Sequence, residues 1–270
     1  MKKELSTAID AIREAGLLTT ELLGNRAKSS QKSNGDILSE ADILVNKLLK
    51  VKLTNAFPDY GWLSEETMDS TERLNKKYVW IIDPIDGTRE FVEGIPEYVI
   101  SIALVENGIP IIGVQYNPTL DQLFAGILNG GAFLNGKRIF CSDCRDLSKA
   151  SVAVSRSENQ KGKTKIYRPI FGKLTPVGSV AYKLALVASG NYDINFSVQP
   201  KNEWDICAGD LLIREAGGCL IDLNGSVRKY NQKNTLIDRG LIAGNQDLVN
   251  STLQIINDND SDSQHGDITE

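Results

Sequence analysis

Histidine is almost absent: the only one, His265, lies close to the C-terminus. That scarcity argues against any mechanism needing a histidine base and against a histidine-based zinc site. Cysteine is sparse too, with Cys141, Cys144, Cys207 and Cys219 in 270 residues, which excludes a disulfide scaffold. Cys141 and Cys144 form half of a zinc-knuckle pattern. The other half would have to come from Cys207 and Cys219, which read as core-facing, so zinc is not expected. No stretch approaches eighteen consecutive apolar residues, and the opening Met1-Lys2-Lys3-Glu4-Leu5 lacks an apolar h-region. Neither a membrane span nor a signal peptide is expected, and the default compartment is cytoplasmic. Excess positive charge is missing as well. With 30 Lys and Arg against 35 Asp and Glu the net charge is -5, so no general field recruits nucleic acid or an anionic membrane. A polyanionic small molecule would need local help, from a bound cation or a few placed basic groups.

What remains is an ordinary globular composition, 41% hydrophobic and 24% charged, in a chain long enough for two sub-domains sharing a core. Residues 4–23 place Leu5, Ile9, Ile12, Ala15, Leu18, Leu22 and Leu23 near helical spacing, with Gly16 as an irregularity. Ser29 to Gly35 reads as a polar loop. Residues 41–57 read as a helix capped by Ser39 or Glu40 and ended by Pro58. A short strand, Tyr78 to Ile82, stops at Asp83-Pro84. From Tyr98 onward the pattern is a meander of three strands, turning at Glu106-Asn107-Gly108 and Asn117-Pro118; Asn129-Gly130-Gly131 and Asn135-Gly136 mark a further hairpin. The second half alternates strands (151–155, 194–196, 219–222) with helices (179–188, 204–216), the last closed by Gly217-Gly218. From Asn257 the chain turns to Asn, Asp, Ser and Gln with no apolar period and reads as a disordered tail. The predicted organisation is an N-terminal α+β sub-domain for metal and phosphate over 1–145, a C-terminal α/β sub-domain for substrate over 146–256, and the tail over 257–270. The class is layered α/β or α+β.

Three segments carry acidic residues that folding alone does not ask for. They are Ser64-Glu65-Glu66, Asp83-Pro84-Ile85-Asp86-Gly87-Thr88, and Trp204-Asp205 at the start of an otherwise apolar helix. In the second, an apolar strand delivers Asp83, Pro84 stiffens the turn, and an extended backbone would carry Asp86 to the same side. Two converging carboxylates repel unless a proton or a cation separates them. Gly87 and Thr88 offer unscreened backbone N–H groups, and a helix opening at Thr88 would make an anion site beside the acids. Hard oxygen ligands favour Mg2+, and two such ions roughly 3.5–4 Å apart can activate a water and stabilise a leaving oxygen. Singly, each segment also fits an ordinary turn, a solvated surface pair or a helix N-terminal acid. The combination carries the information.

Read together, Trp80-Ile81-Ile82-Asp83-Pro84-Ile85-Asp86-Gly87-Thr88, Trp204-Asp205-Ile206-Cys207-Ala208-Gly209 with Glu215-Ala216-Gly217-Gly218, and Leu63-Ser64-Glu65-Glu66 resemble the signatures of the inositol monophosphatase superfamily. The likeness runs from about Lys32 to Gly244, in the family's order. It implies a layered α-β-α-β-α sandwich and a Mg2+-dependent, lithium-sensitive phosphatase that uses two or three ions. It implies metal-ligand roles for Glu65, Asp83, the Ile85 carbonyl, Asp86 and Asp205, with Asp83 bridging two ions and Asp205 also meeting substrate. Gly87 and Thr88 match the phosphate cradle, Thr88 with Glu65 the pair that orients the attacking water, and Asp42 the acid supporting the threonine. The partner implied is a small-molecule phosphate ester, not a nucleic acid polymer or a membrane; a homodimer is compatible with the likeness.

Substrate choice rests on shorter segments. Thr88-Arg89-Glu90-Phe91 resembles the continuation in the CysQ-like branch, which removes the 3'-phosphate of 3'-phosphoadenosine 5'-phosphate (PAP) to give AMP. Val154-Ser155-Arg156-Ser157 resembles that branch's Ser-Arg-Ser segment beside the nucleotide, and Lys183 fits a base meeting the second phosphate. Inositol-cleaving members carry a glutamate seven residues before the second-motif aspartate; here that position is Val198. The nucleotidases commonly have histidine after Ser-Arg-Ser; here it is Glu158. The expectation is a bisphosphate nucleotidase acting on PAP, with an inositol or related sugar monophosphatase as the alternative. From other classes, the alternatives are a non-catalytic metal- or phosphate-binding regulator and a zinc module at Cys141 and Cys144.

Overall fold

The computed structural model describes the backbone of residues 1–24, 29–31 and 37–265, and the side chains of residues 1–23 and 39–258. The first half runs α1 (Lys2–Gly24), β1 (Ser29–Gln31), β2 (Ile37–Ser39), α2 (Glu40–Ala56), β3 (Gly61–Ser64), β4 (Tyr78–Asp86), α3 (Thr88–Glu93), β5 (Val99–Glu106), β6 (Ile109–Asn117), β7 (Gln122–Ile127), β8 (Gly131–Leu134) and β9 (Lys137–Arg138). The second half runs β10 (Ser151–Ser155), α4 (Arg156–Gln160), β11 (Lys173–Val177), α5 (Val180–Ala188), β12 (Ile194–Ser197), β13 (Lys201–Asn202), α6 (Glu203–Glu215), β14 (Cys219–Asp222), β15 (Leu236–Ile237), β16 (Leu241–Gly244) and α7 (Gln246–His265).

Alternating side chains on buried strands need cover on both faces, and that requirement sets the layers. Strands β3 to β9 form a seven-stranded sheet in sequence order, antiparallel except for the parallel β3–β4 pair. Trp80, Ile82, Ile102, Leu104 and Val114 leave one face to pack on Ile12, Val45 and Leu49 of α1 and α2. Val79, Ile81, Ala103 and Val105 leave the other face to pack on α5 and α6. A second sheet, ordered β11-β10-β12-β16-β14, covers the far side of those helices. Ala153, Leu241 and Ala243 turn inward to the helices, while Val152, Val154 and Ile242 turn outward to Leu248, Val249 and Ile256 of α7. The layers therefore run α-β-α-β-α. Each fully buried aliphatic side chain contributes roughly 1.5–3 kcal/mol. Among the described residues no helix is long and apolar enough to cross a membrane.

Several elements differ from the sequence reading. Helix α1 is unbroken at Gly16, where a Cβ would stand 2.4 Å from the Tyr116 ring; glycine lets the helix lie on the sheet. Part of the polar loop is strand, because Ser29–Gln31 pairs with Ile37–Ser39; residues 32–36 lie outside the described residues. Strand β4 does not stop at Asp83-Pro84 but reaches Asp86 through a break in its pairing with β5. Helix α7 continues to His265, so residues 257–265 of the tail read as disordered are helical. Leu248, Val249 and Ile256 anchor it on the sheet, and propagation from an anchored helix needs only backbone bonds. Residues 266–270 lie outside the described residues. Cys207 is fully buried as read, whereas Cys219 is only half-buried.

Candidate active site

Parallel pairing of Ser64 with Ile82 brings the C-terminal ends of β3 and β4 side by side. Glu65 follows directly, its N–H donating to the Ile82 carbonyl at 3.3 Å, and Asp83 is the next residue of β4. Two acids from segments eighteen residues apart thus leave adjacent strand ends. Asp86 is three residues beyond Asp83, and in a regular strand such residues face opposite sides. The pairing of β4 with β5 shifts between Asp83 and Asp86, and this irregularity, not an extended backbone, brings both to one cavity. Asp205 arrives on the first turn of α6, where its carboxylate accepts from the Asn202 N–H at 2.8 Å in a capping box.

Glu65, Asp83, Asp86 and Asp205 line a single cavity of about 490 Å³ together with Ile85, Gly87 and Thr88. Asp83 is 1% exposed, and its Oδ1 has no hydrogen-bond partner. Burial, then the charges of Glu65, Asp86 and Asp205, push its carboxyl well above the usual range. Asp86 is raised by burial, although it accepts from Ser179 Oγ at 2.6 Å and from the Ala181 N–H. Asp205 is raised by burial and by Asp86 and Glu65. As the side chains stand, no three described His, Cys, Asp or Glu residues are grouped tightly enough to hold an ion; like-charged carboxylates share the cavity at separate positions. An unpartnered buried oxygen among four acids is a donor set that fits a hard divalent cation such as Mg2+.

Asp42 lies outside the cavity wall, behind Thr88. Its Oδ1 accepts from Thr88 Oγ at 3.0 Å, and its Oδ2 from the Ser39 N–H at 2.8 Å and Ser39 Oγ at 2.5 Å. Burial raises its carboxyl while the Ser39 bonds oppose that rise. Thr88 Oγ is also 3.1 Å from the Ile85 carbonyl, so its single proton has two acceptors and its lone pairs stay available. Gly87 holds φ at +96°, and a Cβ there would stand 2.9 Å from the Glu97 carbonyl, so only glycine fits between Asp86 and Thr88.

The residues singled out for substrate fare unevenly. Ser155 lines the cavity but also caps α4, accepting from the Glu158 N–H at 3.3 Å. Lys183 does not present a free ammonium. It is 2% exposed and donates to the carbonyls of Val177, Gly178 and Ser179 (3.3, 3.4 and 2.5 Å), and burial pushes it down to about 8. Arg156 lines the cavity while paired to Glu97, with Glu90 at 3.6 Å. Arg89 is exposed in the wall and makes no ion pair among the described residues. Val198 is not in the wall, but Glu158 is, and its carboxylate accepts from the Val198 N–H at 3.2 Å. Sequence reading missed Ser179 and Glu97, which brace Asp86 and Gly178. Ser39 and Asp42 were recoverable as a capping-box pair; Glu97 carries no local signal.

The sequence profile of the inositol monophosphatase family matches residues 1–259. The chain belongs to that family. It is 32% identical to inositol monophosphatase 2 of Solanum lycopersicum over 96% of this chain and 100% of that one. It is 31% identical to the Nus factor SuhB of Escherichia coli K12 over 97% and 98%. Among solved structures it is similar to an IMPase of Thermotoga maritima, with a TM-score of 0.85, 29% identity and coverage of 96% and 98%. Family membership makes the chain a metal-dependent phosphatase of small phosphate esters, typically with Mg2+.

Proposed function

We propose that the chain hydrolyses the phosphate monoester of a small polyol, of the inositol monophosphate class, with Mg2+ held by Glu65, Asp83, the Ile85 carbonyl, Asp86 and Asp205. The observation carrying this reading is the buried, unpartnered Asp83 oxygen in a cavity shared with three other acids. Divalent cations there would acidify a water and offset phosphate charge. The chain's own groups do the rest. Thr88 directs its proton to Asp42 or the Ile85 carbonyl, and so accepts a hydrogen bond from the attacking water. Glu65 takes a proton from that water as its oxygen attacks phosphorus; the P–O ester bond breaks and the departing alkoxide takes a proton from solvent water to leave as the alcohol. The N–H groups of Gly87 and Thr88 hold phosphate oxygens. Lithium inhibition belongs to the same reading.

Most basic groups in the wall are already committed, which favours one phosphate over two. Beyond the four acids assigned to Mg2+, the wall holds three carboxylates (Glu90, Glu93, Glu158) and four cations (Arg89, Arg156, Lys183, Lys201). Three of those cations already serve Glu97 or backbone carbonyls. Hydroxyls of a polyol would instead meet Ser155, Ser157, Gln160 and Gln199. The names of the tomato relatives support the same class. PAP is the second reading, favoured by exposed Arg89 and by the Ser155-Arg156-Ser157 segment in the wall. Phosphate release under Mg2+ decides: kcat/KM should be higher for inositol 1-phosphate than for PAP, and the reverse order overturns the polyol reading. Hydrolysis of neither, despite Mg2+ binding, would point to a regulator.

A further inference from the structure

The cavity is lined by a second pair of charges that the hydrolysis leaves unused. Glu158, on α4, is 3% exposed, and Lys201, just before α6, is 9% exposed. Lys201 Nζ and Glu158 Oε1 stand 3.9 Å apart, close enough for an ion pair and too far for a direct hydrogen bond. Each is anchored independently. Lys201 Nζ donates to the carbonyls of Gln199 and Pro200 at 3.1 and 3.0 Å, which leaves one of its three protons. Glu158 Oε1 accepts from Ser197 Oγ at 2.5 Å and Oε2 from the Val198 N–H at 3.2 Å, which leaves each oxygen a lone pair.

Burying two charges is costly, and a pair serving only the fold would close to contact to recover that cost. This pair stands 3.9 Å apart in the lining of the cavity. A hydroxyl oxygen about 2.8 Å from both atoms fits across a 3.9 Å gap, accepting from Lys201 and donating to Glu158. We propose that Glu158 and Lys201 together recognise a hydroxyl of the leaving group, making them specificity-determining residues for a hydroxylated phosphate ester. The inference rests on the polyol reading above and adds the residues that enforce it.

The test compares kcat/KM for inositol 1-phosphate with that for p-nitrophenyl phosphate, whose leaving group has no aliphatic hydroxyl. Native protein, Glu158→Gln and Lys201→Met are measured under Mg2+, each with its melting temperature. The ratio of the two constants should fall about 10- to 100-fold in either variant, because charge-assisted bonds to a substrate hydroxyl are lost. Parallel losses on both substrates, leaving the ratio within about twofold, make the pair a structural brace and overturn the proposal. Should the variants fail to fold, native protein is assayed on inositol 1-phosphate analogues each lacking one ring hydroxyl. At least one analogue should lose about tenfold or more; equal turnover of all of them overturns the proposal. Failure of the underlying reading looks different: native protein would not turn over inositol 1-phosphate at all, and the inference would fall with it.

Discussion

Asp83→Asn keeps the shape of the most crowded carboxylate and removes its charge. Asp83 is 1% exposed, one oxygen lacks a partner, and Glu65, Asp86, Asp205 and Asp42 all oppose its ionisation. Without metal, the substitution removes the cost of burying or neutralising this carboxylate among like charges, a net gain of about 1–3 kcal/mol. At about 2–4 °C per kcal/mol for a chain of this size, the metal-free melting temperature should rise by roughly 2–12 °C. Mg2+ at a hundredfold its Kd stabilises the native chain by about 2.7 kcal/mol, whereas the variant, short of a ligand, should respond little. Thermal melts in chelator and across a Mg2+ series, followed by phosphate release, read all three effects. The variant should be the more stable protein in chelator, the less responsive to Mg2+, and slower in turnover by about a thousandfold or more. A variant that melts lower in chelator, or shifts with Mg2+ as the native chain does, refutes the placement of Asp83 at the centre of the acids.

The raised carboxyls of Asp83, Asp86 and Asp205 set a sign for pH dependence. Native groups that bind protons more tightly than the unfolded chain stabilise the metal-free protein at low pH, and that contribution is lost as pH climbs through the raised values. The metal-free melting temperature should therefore fall between about pH 5 and pH 8 while the Mg2+-induced shift grows, since protons compete with the metal; a Mg2+ shift independent of pH contradicts this. Thr88→Val removes the hydroxyl but little volume, so kcat should drop about a hundredfold with KM changed by only a few-fold, which steady-state kinetics will show. Gly87→Ala forces a side chain into positive φ against the Glu97 carbonyl; melts should show a loss of about 1–3 kcal/mol, accompanied by a weaker Mg2+ response.

Short-range chemistry wrote much of this protein into its sequence. The strands from Val99 to Ile127, the start of α2 at Ser39 or Glu40, and the helix opening at Thr88 all depend on neighbours a few residues away, and all were legible; that Ser39 caps α2 with Asp42 at its third position came from the structure. The acidic segments were legible too, because an acid ending an apolar strand stands out locally. Where those acids would point was not legible. Asp86 reaches the cavity only because the β4–β5 pairing shifts, and a shift of register belongs to two strands at once. The fates of the cations were hidden for the same reason. Lys183 folds back onto three carbonyls of its own loop, Arg156 finds Glu97 fifty-nine residues away, and Lys201 meets Glu158 across forty-three. A sequence names a charge and its propensities; which opposite charge, carbonyl or open cavity it faces is decided when distant segments pack, because electrostatic partners are set by distance in space and not along the chain.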